Sequence, residues 1–341
     1  MNVSFDLVRS LASAAVTPLV PADYVDLISP LHGRSLRARV VAKRRETPRA
    51  VTLELQPGSG WKGHVPGQYL RLGVDIDGVR HWRAYSLTSA PWHAPTITVT
   101  DQGLVSSHLV HEVEPGQILQ LDQAAGQFGA RVADRALFIT AGSGITPVMG
   151  MLRSGVVHDA VVVHSARLAD DVIFGTELRQ MAAAGRVTLI ERHTRREGRL
   201  QPAEIAALVP DVAHRQTWVC GPNELIDAVV EFFAAQGLPQ PEYERFRPVL
   251  APAGTGGEVS FSRTAVVADV NGATSLLEAG ESVGVLMPHG CRMGICYGCV
   301  TPLTQGSVRD LRDGAVTTAD DEPVLIQTCI NAAAGPCTLD V

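Results

Sequence analysis

The sequence predicts a multidomain chain: an antiparallel β-barrel, then an α/β domain on a parallel sheet, then a smaller α+β domain. Three observations carry this. Between Leu36 and Asp122, short β-rich runs are separated by turns of Gly, Pro and Asp. From Arg135, apolar strands alternate with helical stretches. Near the C-terminus, past a linker by composition at Pro248–Gly257, three cysteines fall at C-x4-C-x2-C with a distant fourth.

Composition sets the bounds. A chain of 341 residues has room for two or three domains, and 45% hydrophobic with 19% charged residues suits packed cores rather than disorder. A formal net charge of −6 argues against nucleic acid as the main partner. No apolar run approaches the ~20 residues that span a bilayer. The N-terminus lacks a basic segment followed by a continuous apolar core, so no secretion signal is expected.

Taken in order, residues 1–34 form an extension. Phe5, Leu7, Val8, Leu11, Ala14 and Ala15 make a helical stripe ended by Pro18 and Pro21, and Tyr24, Leu27 and Ile28 suggest a second short piece. Two readings stand: a segment packed over the following domain, or a docking surface for a partner protein or membrane face.

Strands are expected at Arg37–Val41, Ala50–Leu55, Tyr69–Val74 and Thr96–Thr100. Arg83-Ala84-Tyr85-Ser86-Leu87 alternates so that Arg83 and Tyr85 share one strand face. Gly103-Leu104-Val105-Ser106-Ser107-His108-Leu109 opens a helix. His108 and His111 lie a turn apart on it, lack a third ligand, and are read as surface residues. Next, Ala136–Thr140 is a buried strand running into Ala141-Gly142-Ser143-Gly144-Ile145-Thr146-Pro147 and a helix; glycines there let backbone N–H groups approach an anion. Ala160–His164 is a second strand, ending in Ser165-Ala166-Arg167. A helix from Asp171 to Ala184 follows, which Asp170 and Asp171 are placed to cap, then strands at Val187–Ile190 and Thr217–Cys220, the latter running into Gly221-Pro222.

The cysteine pattern is the most specific signal. Cys291, Cys296 and Cys299 with Cys329 show the plant-type spacing for a two-iron, two-sulfur cluster, in which one wrapped loop supplies three thiolates. Gly290, Gly294 and Gly298 are expected to let that loop turn. A zinc site would show two close cysteine pairs, and a disulfide framework would need an oxidising compartment. Cys220 and Cys337 are left as reduced thiols, which fits the cytoplasm.

From Ser260 onward the chain resembles a plant-type ferredoxin, a β-grasp domain, with a helix at Thr274–Ala279 before the cluster loop and Cys329 after Val324-Leu325-Ile326. The rest resembles the ferredoxin–NADP reductase superfamily. That resemblance implies an FAD-binding barrel (35–133), an NAD(P)-binding α/β domain (134–247), a linker (248–257) and a 2Fe-2S domain (258–341). It assigns Arg83, Tyr85, Ser86 and Leu87 (the Arg-x-Tyr-Ser motif) and Gly103, Val105 and Ser106 to FAD, with Ser86 toward the flavin N5 edge. Pro66-Gly67-Gln68-Tyr69 matches the strand entry beside the flavin. Gly142, Gly144 and Thr146 (the Gly-x-Gly-x-Thr-Pro loop) and Cys220 of Cys-Gly-Pro would meet the nicotinamide dinucleotide. Ser86, Thr146 and Cys220 stand nearest the chemistry, and Phe246 would cover the flavin. Taken singly, each has an ordinary reading: a strand arginine at the surface, a serine-capped helix, a glycine turn, a buried structural cysteine.

The implied activity is an NAD(P)H-dependent reductase: hydride to FAD, then single electrons to the cluster and on to a partner. His81–Ser89 and the extension resemble bacterial reductases that serve membrane acyl-CoA desaturases, while reductases of ring-hydroxylating or other monooxygenases are the alternative. A non-enzymatic redox sensor is the reading from another class, opposed by intact Gly142, Gly144, Thr146 and Cys220. The expected location is cytoplasmic, at the inner membrane face where the partner is membrane-embedded. NADPH is expected over NADH because Ser165 and Arg167, rather than an acidic residue, follow the second strand of the α/β domain. Arg195, Arg196 and Arg199 follow the next strand, where arginine suits a 2′-phosphate; a solvated basic face is the competing reading.

Overall fold

The computed structural model describes residues 31–33, 35–129, 134–246, 253–290, 292, 294, 297–320 and 322–341. The helical pieces expected in the N-terminal extension lie outside these residues, as do Cys291 and Cys296.

The first sheet is antiparallel, in the order β4-β3-β6-β1-β2-β5. Its strands are β1 (Arg37–Thr47), β2 (Ala50–Pro57), β3 (Tyr69–Ile76), β4 (Val79–Ser86), β5 (Thr96–Thr100) and β6 (Ile118–Leu121). An isolated bridge between Leu87 and Ile97 joins the two edge strands and closes the sheet into a barrel. Val40, Leu53, Leu70, Leu72, Leu87 and Ile97 fill it, and α1 (Leu104–His111) packs Val105 and Leu109 onto that core. β6 was not among the expected strands; four residues are too few for periodicity to announce.

The second sheet is all parallel, ordered β11-β10-β7-β8-β9, from β7 (Arg135–Ala141), β8 (Asp159–Ala166), β9 (Val187–His193), β10 (Gln216–Cys220) and β11 (Glu242–Glu244). Buried on both faces, β7 and β8 read as near-continuous apolar runs. Its helices include α2 (Ile145–Ser154), α3 (Gly175–Ala183), α4 (Thr194–Glu197), α5 (Ile205–Leu208) and α6 (Asn223–Ala235). The first eight residues of α2 are buried all round, and Gly155 ends it in the left-handed conformation. The helix expected at Asp171–Ala184 begins later. Asp170 and Asp171 lie in a 3-10 turn, and α3 is preceded by Phe174 at φ 59° with no side-chain cap. The apolar run Val172-Ile173-Phe174 is buried, and that burial displaces the helix start past both aspartates.

The third sheet runs β13-β12-β17-β14-β15, with β16 also paired to β14. It is built from β12 (Gly254–Phe261), β13 (Val266–Gly272), β14 (Val300–Asp310), β15 (Val316–Ala319), β16 (Val324–Gln327) and β17 (Asn331–Leu339). Helix α7 (Leu276–Ser282) starts two residues later than expected, at a reciprocal capping box. Glu278 N donates to Ser275 Oγ (3.2 Å), and Ser275 N donates to Glu278 Oε2 (3.4 Å). The linker expected at 248–257 is cut short, because Gly254–Gly257 open β12. Their glycine content serves packing, not slack: a β-carbon on Gly256 would overlap the Val270 carbonyl.

The chain divides into two compact units, one ending at Glu244 and the other comprising Arg245–Val341 with His81–Arg83. Barrel and parallel sheet share the first unit. Trp218 of β10, fully buried and stacked on Phe138, donates its indole N–H to Phe128 O (2.7 Å) in the segment leaving the barrel. No helix of the described residues is long and apolar enough to cross a membrane.

Candidate functional site

In the barrel, β4 carries Arg83 and Tyr85 at alternate positions, followed by Ser86 (6% exposed) and Leu87 at the seam with β5. The Arg83 guanidinium donates to Trp82 O (2.8 Å), and Tyr85 packs against the barrel core. Gly103 stands at the N-cap of α1 without a side-chain cap, so Ser106 is no conventional capping serine. Its Oγ donates to Gly103 O (3.0 Å) and accepts from Gln102 N (3.1 Å). Ser107 and His111 both bond Asp101, and these bonds hold the turn into α1. As at any helix N-terminus, the first amides of α1 have no intrahelical acceptor, an arrangement that suits an anion.

In the α/β half, the glycine loop Gly142–Gly144 is a 3-10 turn between β7 and α2. Gly142 sits at φ +54°, and a β-carbon on Gly144 would overlap the Cys220 carbonyl oxygen. The two motifs expected to meet the dinucleotide therefore touch each other, at the carboxyl ends of β7 and β10 where ligands of open α/β sheets gather. Thr146 is buried, its Oγ1 donating to Ser143 O (2.9 Å).

Register brings a row of polar side chains to the same edge. Glu244, Cys220, Thr140, His164 and Glu191 are successive partners across β11, β10, β7, β8 and β9. Thr140 Oγ1 bonds His164 Nδ1 (2.8 Å), and burial holds that imidazole down to about 4, hence neutral. Burial, with Glu244 adding to it, pushes the Cys220 thiol well up, so the site offers a thiol and not a thiolate. Burial also raises the Glu244 carboxyl to about 7. Glu244 Oε2, His164 Nε2 and Ser165 Oγ are buried without a hydrogen-bond partner among the described residues. Orphaned polar atoms beside a glycine cradle fit a polar ligand. Sequence reading passed over Glu244 because only the parallel pairing of β11 with β10 sets it beside Cys220.

Ser165 stands in register with Ala141 and Arg192. Arg167 follows β8, and Arg195 N donates to Arg167 O (3.2 Å), so the two basic segments meet. Arg192, another residue missed from sequence, organises that loop by donating to Glu197 O (2.8 Å), Gly198 O (3.1 Å) and Glu204 (3.0 Å). Arg167, Arg195 and Arg199 are exposed, and their guanidinium groups take no partner among the described residues; Arg196 pairs with Glu197 (3.1 Å).

In the second unit, Cys299 and Cys329 are buried with sulfurs 3.1 Å apart. That is a contact, not the ~2.05 Å of a disulfide, and neither cysteine is in a disulfide. The bond with Cys329 lowers the Cys299 thiol to about 6. Two close, buried thiols suit a shared iron site; Cys291 and Cys296 lie outside the described residues. Among the described residues of the loop, left-handed turns fall at Arg292 (φ 58°), Gly294 (φ 73°) and Tyr297 (φ 57°). A bidentate ion pair with Glu281 (2.7 and 2.5 Å) helps hold Arg292 there. Phe246 falls just after β11 and is partly exposed.

Comparison with known proteins adds the following. The 2Fe-2S iron-sulfur cluster binding domain family matches residues 261–332, and the oxidoreductase NAD-binding domain family matches 138–231. An NADPH oxidoreductase of Mycobacterium tuberculosis (strain ATCC 25618 / H37Rv) is 44% identical over 98% of this chain and 92% of its own. The glycine betaine monooxygenase reductase subunit of Pseudomonas aeruginosa (strain UCBPP-PA14) is 29% identical over 81% of this chain and 86% of its own. Phthalate dioxygenase reductase, described as a modular structure for electron transfer from pyridine nucleotides to [2Fe-2S], shares the fold at TM-score 0.63 and 21% identity. That match covers 90% of this chain and 98% of the reductase.

Proposed function

The chain belongs to the ferredoxin reductase superfamily of oxidoreductases that carry a C-terminal 2Fe-2S domain, and from that premise we propose that it takes electrons from NADPH and delivers them singly to an oxygen-activating partner enzyme. FAD, the cluster and NAD(P)H are its cofactors, and together they supply the conversion of a two-electron donor into one-electron steps. The observation that carries the reading is the contact of Gly144 with the Cys220 carbonyl, which joins the glycine loop and the Cys-Gly-Pro turn into one cradle.

The chain's own residues do the positioning. Arg83 and the first amides of α1 hold flavin phosphates, and Tyr85, Ser86 and Leu87 line the ring. Gly142, Gly144 and Thr146 bind the nicotinamide dinucleotide's phosphates, and Cys220 presents a neutral thiol at its ring. Cys291, Cys296, Cys299 and Cys329 hold the cluster. Ser165, Arg167, Arg195 and Arg199 take the adenosine 2′-phosphate, a choice supported by the meeting of Arg195 with Arg167 and by the name of the 44%-identical relative.

As acceptor, the names of the betaine monooxygenase and phthalate dioxygenase reductases favour an oxygenase component. The acyl desaturase expected from His81–Ser89 is the second reading, and both acceptors consume single electrons to activate oxygen. Purified chain should reduce ferricyanide or cytochrome c with NADPH; no turnover would sink the reductase reading. Reconstitution with candidate oxygenase and desaturase components, scored by product formed per NADPH consumed, decides between the acceptors.

A further inference from the structure

Helix α2 runs from the glycine loop at its N-terminus to the barrel seam at its C-terminus. Gly150 and Arg153, three residues apart and so on one face, reach the backbone that leaves Ser86. A β-carbon on Gly150 would stand 2.5 Å from Leu87 O. Arg153 Nη1 donates to Thr88 O (2.7 Å). The next carbonyl, Ser89 O, accepts from His64 Nε2 (3.2 Å) within the barrel. Of the three carbonyls after Ser86, Leu87 O packs against Gly150, while Thr88 O and Ser89 O accept side-chain hydrogen bonds.

Arg153 is itself over-determined. Its other donors form a fork onto Glu177 (Nε to Oε1 2.9 Å, Nη2 to Oε2 2.6 Å), and its guanidinium lies 4.7 Å from the centre of the Phe174 ring. The side chain is 17% exposed. All three guanidinium nitrogens donate, two to one carboxylate and one to a barrel carbonyl, so the side chain is fixed in both position and plane. Lysine has neither the fork nor the planar face for this arrangement.

We propose that Arg153, clamped by Glu177 and Phe174 and bonded to Thr88, is a positioning residue that sets the separation between the nicotinamide cradle and the flavin strand end. The inference rests on the reductase reading. The cradle (Gly142–Gly144, Thr146) leads directly into the first turn of α2, and the flavin strand end (Ser86) lies two residues before Thr88. Any slip of α2 along the seam changes the distance over which hydride must pass. A misplacement of ~1 Å in such a geometry can cost on the order of a hundredfold in rate.

The test uses the full-length, FAD- and cluster-loaded protein with Arg153→Gln and Arg153→Lys. Anaerobic rapid mixing with NADPH, and with NADPH deuterated at the transferring carbon, gives the limiting rate of flavin reduction, half-saturation and isotope effect. Hydrogen–deuterium exchange reads the seam without turnover. The expected result for Arg153→Gln is a limiting rate down about ten- to a hundredfold. Half-saturation should hold within about twofold, the isotope effect should be larger, and exchange faster at Leu87–Ser89 and along Ile145–Ser154. Arg153→Lys should fall between. A wild-type limiting rate, or a slowed rate with unchanged exchange, overturns the proposal. Should Arg153→Gln lose FAD, Glu177→Gln replaces it. That variant keeps the Thr88 donor but loosens the clamp, and wild-type values in both readouts overturn the proposal equally. Failure of the wild type to reduce its flavin with NADPH would count against the reductase reading, not against Arg153.

Discussion

Gly144 lies against the carbonyl of Cys220 so closely that no side chain fits between them. Its backbone is ordinary, at φ −61°, so space and not conformation requires glycine there. Gly142, two residues earlier, is glycine for the opposite reason: it adopts φ +54° and its β-carbon would meet nothing.

Replacing Gly144 with alanine should therefore force the glycine loop and the Cys-Gly-Pro turn apart. The expected cost is about 1–3 kcal/mol of stability, as for other overpacked sites, with a sharp loss of NADPH-dependent flavin reduction. Iron content should not change. Thermal unfolding and anaerobic flavin reduction check this; normal reduction kinetics in Gly144→Ala would refute the shared cradle.

The cluster assignment is tested at Cys299→Ser. Its sulfur stands 3.1 Å from that of Cys329 within a buried pair. The variant should lose iron and its visible iron–sulfur absorption, while NADPH-driven ferricyanide reduction through the flavin persists. Wild-type iron content would remove Cys299 from the ligand set.

Glu244 makes a pH prediction. Burial raises its carboxyl from 4.5 to about 7, so between these values the folded protein holds a proton that the unfolded chain has released. Stability should consequently fall as pH rises through that window and level off above it. Glu244→Gln should flatten this part of the profile, measured by denaturant unfolding from pH 5 to 8. An unchanged slope would mean that Glu244 is ionised when folded.

Cofactor choice is tested at Arg167. If its guanidinium meets a 2′-phosphate, Arg167→Ala should raise the Michaelis constant for NADPH about tenfold or more, the equivalent of ~1.5–3 kcal/mol for a charged hydrogen bond. The constant for NADH should barely move. Equal effects on both cofactors would assign the arginines to a solvated face.

The fold class was legible because each part has a local signature: alternation and turns for the barrel, apolar strands alternating with helices for the parallel sheet, cysteine spacing for the last domain. Local signals misplaced what packing governs. Asp170 and Asp171 look like helix caps, yet burial of Val172–Phe174 starts α3 beyond them. Gly254–Gly257 looks like slack linker, yet those glycines let strands approach. In the cluster loop, Arg292 and Tyr297 take left-handed turns as well as Gly294, which local composition does not announce.

The sequence by itself determined the kinds of domain, their order and the cofactors they call for, since those are written in residues close together along the chain. Tertiary structure alone decided which distant residues meet. Glu244 reaches Cys220 through parallel pairing of β11 with β10, Gly144 reaches the Cys220 carbonyl, and Arg153 reaches Thr88 across the seam of barrel and α/β half. The physical reason is that period and spacing act within a few residues, whereas register across a sheet and the docking of one domain face on another are set by burial and hydrogen bonding between segments far apart in sequence.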